Sequence, residues 1–337
     1  SLSAGDASFA GKFSKNSAVE IMTGAVMPAD THYDCVVRVE DCVKTTEGSD
    51  CYIEISKQLK PSDNVRYLGT DIRKGERILA AKTILNHSHI MALASVGKSE
   101  LKVYRRPRIA IIATGSELVD ITTPDLPNGK IRNSSQPYLI TVLESMGCEV
   151  KSFGILHDDV DRFRSFLRDV ENNFDIVVST GAVSMGKLDF VNDILTEQGA
   201  QICFHKVAIR PGKPILFARL KSGATYFGLP GNPISSAIGL RFFLTTYIQA
   251  MFALVPSKPS VAVNVQEKVK PAGLTCFFRA SVAVDSDAVL KIKIHPNQAS
   301  NAVQPQIETN AWAILPQDSG CIAAGEKIQF ITNGAGV

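Results

Sequence analysis

Two hydrophobic rhythms alternate along the middle of the chain. Short unbroken apolar runs, "RIAIIAT" (108–114) and "DIVVST" (175–180), read as strands covered on both faces of a sheet. Between them apolar positions fall at helical spacing. "SQPYLITVLESMG" (135–147) sets Leu139, Val142, Leu143 and Met146 on one face and stops at Gly147. "DVDRFRSFLRDVENN" (159–173) does the same with Phe163, Phe166, Leu167 and Val170. "CEVKSFGIL" (148–156) reads as a strand and "DFVNDILTEQG" (189–199) as a helix closing on Gly199. "CFHKVAI" (203–209), "PILFARL" (214–220) and "TYFGL" (225–229) read as further strands. A long helix follows, with Asn232 as N-cap and Pro233 at its first position, running to about Leu254. Strand–helix alternation over 107–254 predicts a doubly wound α/β domain.

The flanks have a different texture. "DCVVRVEDCV" (34–43) and "CYIEIS" (51–56) alternate at strand period and "KPSDN" (60–64) reads as a turn, which predicts an N-terminal β domain over 1–70. "TILNHSHIMALASVG" (83–97) is helical and ends on Gly97, so 71–106 reads as a mixed linker or dimerisation region. From 255 to 337 helical signals vanish. "SVAVNVQEKV", "CFFRASVAV", "VLKIKIHP", "AWAILP" and "KIQFIT" predict a small antiparallel β-barrel or sandwich. The fold class is therefore α/β with additional β domains.

Composition narrows the function. A chain of 337 residues is too long for one core. A net charge of +3 with scattered basic residues argues against a nucleic-acid partner. No apolar run approaches the roughly 20 residues that span a bilayer, and the opening residues do not read as a signal peptide. Seven cysteines without a C-x-x-C pair argue against a zinc ribbon or a disulfide framework and point to a reducing cytoplasm.

The candidate chemistry sits where strands end. After "RIAIIA" come Thr114, Gly115, Ser116 and Glu117, and after "DIVVS" come Thr180, Gly181 and the segment to Gly186. After "KVAI" come Arg210, Pro211, Gly212, Lys213 and Pro214, and after "TYFGL" come Pro230, Gly231, Asn232, Pro233, Ile234 and Ser235. Ligands of open α/β sheets bind beyond the carboxyl ends of the strands. Glycine lets backbone N–H groups approach an oxyanion, and a helix start adds its positive end. Four such loops on one edge favour an anionic ligand over turn chemistry alone. From Gly181 the chain also reads G-x-x-x-x-G-K, the start of a P-loop, but Leu188 stands where the magnesium-binding hydroxyl belongs. Lys187 then reads as a solvated neighbour, and Asp189 as a carboxylate able to bind a metal or as an ordinary first-turn helix acid. Arg210 and Lys213 also have a plain reading, as a solvated loop.

These blocks together resemble a known family. "IMTGAVMP" (21–28), "VRYLGTDI" (65–72), "ATGSEL" (113–118), "DIVVSTGAVSMGKLDF" (175–190), "AIRPGKP" (208–214) and "GLPGNPISS" (228–236) stand in the order seen in the molybdopterin molybdenumtransferases and the E domain of gephyrin. The resemblance implies the last step of molybdenum cofactor synthesis: molybdate and adenylylated molybdopterin react, the metal joins the dithiolene, AMP leaves, and a divalent cation, normally magnesium (Mg2+), takes part. It implies four domains, a homodimer, and molybdopterin adenylyltransferase as a candidate partner.

Residue roles follow from the same resemblance. Asp71, Asp189 and Lys213 match catalytic positions, with Asp189 the magnesium candidate. Thr114, Gly115, Ser116 and Glu117 match the first substrate loop, and Gly181, Ser184 and Gly186 the second. Arg210, Pro214, Pro230, Asn232 and Ser235 match the surroundings of the oxyanion, and Arg279 and Ser300 the barrel's contribution. Ala182 replaces a usual glycine, and Ser135 a usual Asn. The family's block N-S-A-M-D-G-Y-A would lie upstream of Ser1, so the chain reads as N-terminally truncated. Two alternatives share features with this reading: a nucleotide-binding enzyme like molybdopterin adenylyltransferase, which would lack the barrel, and a gephyrin-like scaffold.

Overall fold

The computed structural model describes residues 1–6, 16–28, 33–157, 159–181, 190–256 and 258–334. Its contacts divide the chain into two units, Ser1–Ala81 with His87–Gly97, and Lys82–Asn86 with Lys98–Val337.

The first unit carries an antiparallel hairpin, β1 (Cys42–Glu47) and β2 (Asp50–Ile55), and one helix, α1 (His87–Ser95). The strand predicted from Asp34 begins only at Cys42, after a 3-10 turn over Val39–Asp41. No residue of 34–41 is fully buried, so its alternation has no core to face. The helix ends as the sequence predicts, with Gly97 at φ +72 and its N–H on the Ala94 carbonyl at 3.0 Å.

The second unit is built on a six-stranded sheet whose strands stand in the order β6 (Glu149–Leu156), β3 (Arg108–Thr114), β7 (Ile176–Thr180), β11 (Thr225–Leu229), β10 (Leu216–Arg219) and β8 (Gln201–His205). Strands β3, β6, β7 and β11 run parallel. Strand β10 runs antiparallel to β11 and to the edge strand β8. Successive side chains leave opposite faces of a strand, and both faces are buried. Ala110, Val177 and Tyr226 meet Phe163 and Leu167 of α3 (Val160–Val170) and Val191 and Ile194 of α4 (Phe190–Glu197). Ile109, Ile111, Ile176 and Val178 meet Leu139 and Leu143 of α2 (Ser135–Ser145) and the last helix. Each buried Val, Leu, Ile or Phe among them contributes about 1.5–3 kcal/mol relative to exposure. This is the predicted doubly wound layer, with one antiparallel strand in it.

The last helix differs from the unbroken one predicted. It runs as α5 (Pro233–Ile238), a π-helical turn over Gly239–Leu244, and α6 (Thr245–Met251). Ile234, Ala237 and Ile238 belong to one core and Leu240, Leu244 and Ile248 to another. The wider turn between them re-phases the buried face from the first core to the second. Gly239 permits the close approach to β11, where a Cβ would meet Leu229 Cδ2 at 2.6 Å.

Beyond it, β12 (Ser260–Asn264), β14 (Thr275–Val284), β15 (Leu290–Ile294), β16 (Ala311–Leu315) and β18 (Lys327–Thr332) form a closed five-strand barrel. Ten-residue β14 closes it by pairing with β16 through its first half and β15 through its second. The run "SVAVNVQEKV" divides into β12 and a short β13 (Lys268–Val269), which pairs with β17 (Cys321–Ile322); β17 and a helical turn, α7 (Gln304–Ile307), were not legible in the sequence.

The strand predicted over 203–209 breaks at Lys206, which has φ +70. Its second part, β9 (Ile209–Arg210), leaves the central sheet and pairs with β14, Ile209 beside Thr275 and Arg210 beside Cys276. Ile209, Ile215, Ile234 and Ile238 pack there against Phe277 and Trp312 of the barrel, and Phe242 lies 4.0 Å from Phe277 between ring centroids. The alternation of 203–209 serves two different sheets.

At the opposite edge of the central sheet Asp175 ties the strand starts together. Arg105 donates two bonds of 2.6 Å to its carboxylate, and Arg108 N donates at 2.8 Å. The Arg105 guanidinium, with the Arg108 amide, holds the Asp175 carboxyl below its usual range. A carboxylate whose folded pKa is depressed adds stability above the unfolded pKa and loses it as pH falls through the folded value. Arg105→Ala should therefore lower Tm at pH 7, and the difference from the parent should shrink below about pH 4. Thermal melts at pH 7 and pH 3 check this; a difference that is the same at both would remove the ion pair as its cause.

Candidate functional site

Three strand ends are knotted together at the carboxyl edge of the sheet. Thr114 Oγ1 donates to the Thr180 carbonyl at 3.0 Å, and Gly181 N donates to the Leu229 carbonyl at 2.9 Å. Gly181 has φ +88 and lies so close to Thr114 that a Cβ would stand 2.2 Å from the Thr114 carbonyl oxygen. A Cβ on Gly231 would reach Gly181 Cα at 3.7 Å. Buried Pro230 accepts a hydrogen bond from Ser236 Oγ. A cleft opens over this knot, lined by Thr114, Glu117, Ser135, Thr180, Gly231 and Pro233, with Leu118 and Ile131 on one side.

The Thr114 hydroxyl donates to Thr180 O, which secures the two loops and leaves its oxygen able to accept a further bond. Gly115 has φ +148, and the Glu117 carboxylate folds over it, within 2.6 Å of where a Cβ would stand. Ser116 and Glu117 are exposed. The Ser116 carbonyl accepts Lys130 Nζ at 2.5 Å.

The start of α2 is held by a buried pair that sequence reasoning missed. Asn133 Oδ1 accepts from Gln136 N at 3.2 Å, and Asn133 Nδ2 donates to Gln136 Oε1 at 3.0 Å. Gln136 Nε2 also bridges the Ile111 and Gly154 carbonyls, at 3.3 Å each, where the β3–β6 register shifts. The signal was present: N-S-S-Q at 133–136 has the spacing of a capping box. Ser135, buried at the first turn, faces the cleft without the Asn of the resemblance.

The loop from Lys206 to Ile215 joins β8 to β10 at this same edge, because β10 runs the other way. Its base is closed by Val207 N on Lys213 O at 2.9 Å and Lys206 N on Ile215 O at 3.0 Å. A Cβ on Gly212 would lie 3.6 Å from the Ser235 carbonyl, so the loop rests on the first turn of α5, where Ser235 is buried. Arg210 and Lys213 are exposed, Pro214 half-buried. Among the described residues neither cation has a hydrogen-bond or ion-pair partner. Asn232 occupies the N-cap position with extended backbone, but its side chain makes no cap bond. The barrel reaches this turn through the main chain instead: Ile234 N donates to the Ser300 carbonyl at 3.1 Å.

Arg279, which the resemblance matches to the barrel's contribution, sits on barrel strand β14. It is fully buried, its guanidinium bonded to the carbonyls of Ala302, Asn297 and Ala299. Burial lowers its pKa. Arg279 therefore holds the 297–302 loop that presents the Ser300 carbonyl. Asp71 lies in the first unit, exposed just after the Gly69 turn. Ser184, Gly186 and Asp189, with Lys187 and Leu188, lie outside the described residues. Among the described residues no three His, Cys, Asp or Glu side chains gather as a metal site, and no helix is long and apolar enough to cross a membrane.

Known proteins resemble this chain in sequence and fold. A family model described as a probable molybdopterin binding domain matches residues 110–250, and one described as the MoeA N-terminal region (domain I and II) matches 3–97. The α/β part is thus of the molybdopterin-binding class. Molybdopterin molybdenumtransferase of Synechococcus elongatus is 37% identical over 93% of this chain and 75% of its own length, and that of Haemophilus influenzae 31% identical over 97% and 81%. The molybdopterin biosynthesis MoeA protein of Pyrococcus horikoshii superposes with a TM-score of 0.79 at 25% identity, over 98% of this chain and 79% of that one. The chain belongs to the molybdopterin molybdenumtransferase family.

Proposed function

We propose that this chain inserts molybdenum from molybdate into adenylylated molybdopterin, with release of AMP. The observation that carries the site is the pair Arg210 and Lys213, two exposed cations without an acidic partner among the described residues, on a loop braced against the start of α5. Cations on a braced loop, with backbone N–H groups beside them, suit an oxyanion. Thr114, Gly181 and Gly231 shape the neighbouring floor for the phosphates.

Magnesium would be held by Glu117, which lines the cleft, and by Asp189 with substrate phosphates. One or two carboxylates beside phosphate oxygens is the donor set this ion takes. When bound, it would offset charge on the phosphoanhydride that breaks as AMP leaves. Asp71 as a catalytic carboxylate, the division into four domains at 70, 106 and 254, and a cytoplasmic homodimer belong to the same proposal. The dimer has support in the first unit, where Leu93 is the only buried large hydrophobic side chain among the described residues, while Tyr67, Leu68 and Met91 are exposed.

The experiment is molybdate-dependent AMP release by the full-length protein. Lys187→Ala should retain most of it, whereas Asp189→Asn should lose most of it, because a neutral amide holds a divalent cation poorly. Melting temperatures serve as the folding control. The reverse ranking would make the 181–187 segment a nucleotide P-loop and overturn this reading of the site.

A further inference from the structure

Beside the polar floor stands a small apolar ledge that is left exposed among the described residues. After β3 the chain forms β4 (Leu118–Val119), which pairs in parallel with β5 (Ile131–Arg132), Leu118 directly beside Ile131. Both residues line the cleft, yet Ile131 is 55% exposed. Surface isoleucines are common singly; this one is paired with Leu118 in a hydrogen-bonded ribbon. Ile131 N donates to Glu117 O and Asn133 N to Val119 O, each at 2.9 Å. Arg132 is tied back by the Thr123 carbonyl at 2.8 Å and the Pro124 carbonyl at 3.1 Å, so its guanidinium does not serve as a free cation in the cleft. Asn133, the next residue, is locked by Gln136. Polar floor and apolar wall together fit a ligand that is charged at one end and flat and apolar-faced at the other.

We propose that Leu118 and Ile131 form the platform on which a fused nitrogen-heteroaromatic ring of the phosphorylated substrate packs, making them specificity-determining residues. The inference rests on the reading of this cleft as the phosphate-binding site. The ring has two sources in that substrate, the adenine and the pterin, and ligand fragments distinguish them.

The test is calorimetric binding of AMP, 6-hydroxymethylpterin phosphate and ribose 5-phosphate to the full chain and to Ile131→Ser and Ile131→Phe. At least one ring-bearing phosphate should bind the parent about tenfold tighter than ribose 5-phosphate. Ile131→Ser should remove most of that advantage with ribose 5-phosphate affinity unchanged, and Ile131→Phe should keep it. An advantage for AMP places adenine on the ledge; one for the pterin places the pterin there. If all three bind the parent equally, or if the advantage survives Ile131→Ser, the ledge is overturned while the phosphate reading stands. If none binds, the phosphate reading falls and the ledge with it.

Discussion

Lys213→Ala is expected to weaken molybdate binding by ten- to a hundredfold while leaving Tm unchanged. A charge-assisted contact to an oxyanion is worth about 1.5–3 kcal/mol, which is that range of affinity. Nothing in the fold depends on this side chain, since it is exposed and has no partner among the described residues. Main-chain bonds, from Val207 N to Lys213 O and from Ile215 N to Gly212 O, keep the loop in place without it. Arg210→Ala should behave alike, because β9 holds the Arg210 backbone against Cys276. Molybdate titration with a parallel melt decides the matter. Unchanged affinity in both variants would remove the loop from the site.

Gly181→Ala should damage both stability and activity. A non-glycine residue at φ +88 costs about 1–3 kcal/mol. Here the added Cβ would also fall 2.2 Å from the Thr114 carbonyl oxygen, in backbone that ends a buried strand and cannot yield cheaply. Gly147→Ala is the matched control. Gly147 has φ +81, but a Cβ there would meet nothing within 4 Å. The control should lose only the backbone contribution and keep molybdate-dependent AMP release; Gly181→Ala should lose more stability and most of the activity. Equal losses in the two variants would mean that the close approach of β3 and β7 does not matter.

Much of this fold was legible because its periodicities are strong. The runs 108–114 and 175–180 are apolar throughout because both faces of their strands are buried. Phe163, Leu167 and Val170 repeat at helical spacing because α3 has one face on the sheet. The barrel strands appeared for the same reason. What was not legible depends on tertiary partners. "CFHKVAI" alternates evenly, and only the barrel's β14 decides that its last residues join another sheet. "GNPISSAIGLRFFL" reads as plain helix, and only the two cores beneath it call for a π turn.

The site divides in a similar way. Glycine loops at strand ends announced themselves, because a close backbone approach leaves a residue-type signature. Arg279 was legible as a cation but not as a buried one, since its carbonyl partners are main-chain atoms that leave no mark on the sequence. The bond from the Thr114 hydroxyl to the Thr180 carbonyl likewise leaves no mark on the sequence.

Anomalous scattering at the molybdenum edge, from crystals of the full chain grown with molybdate, tests the site most directly. The expected peak lies within contact distance of Lys213 Nζ or the Arg210 guanidinium, beside the first turn of α5. A peak found only elsewhere, with this loop empty at saturating molybdate, would contradict the placement of the reaction at this edge of the sheet.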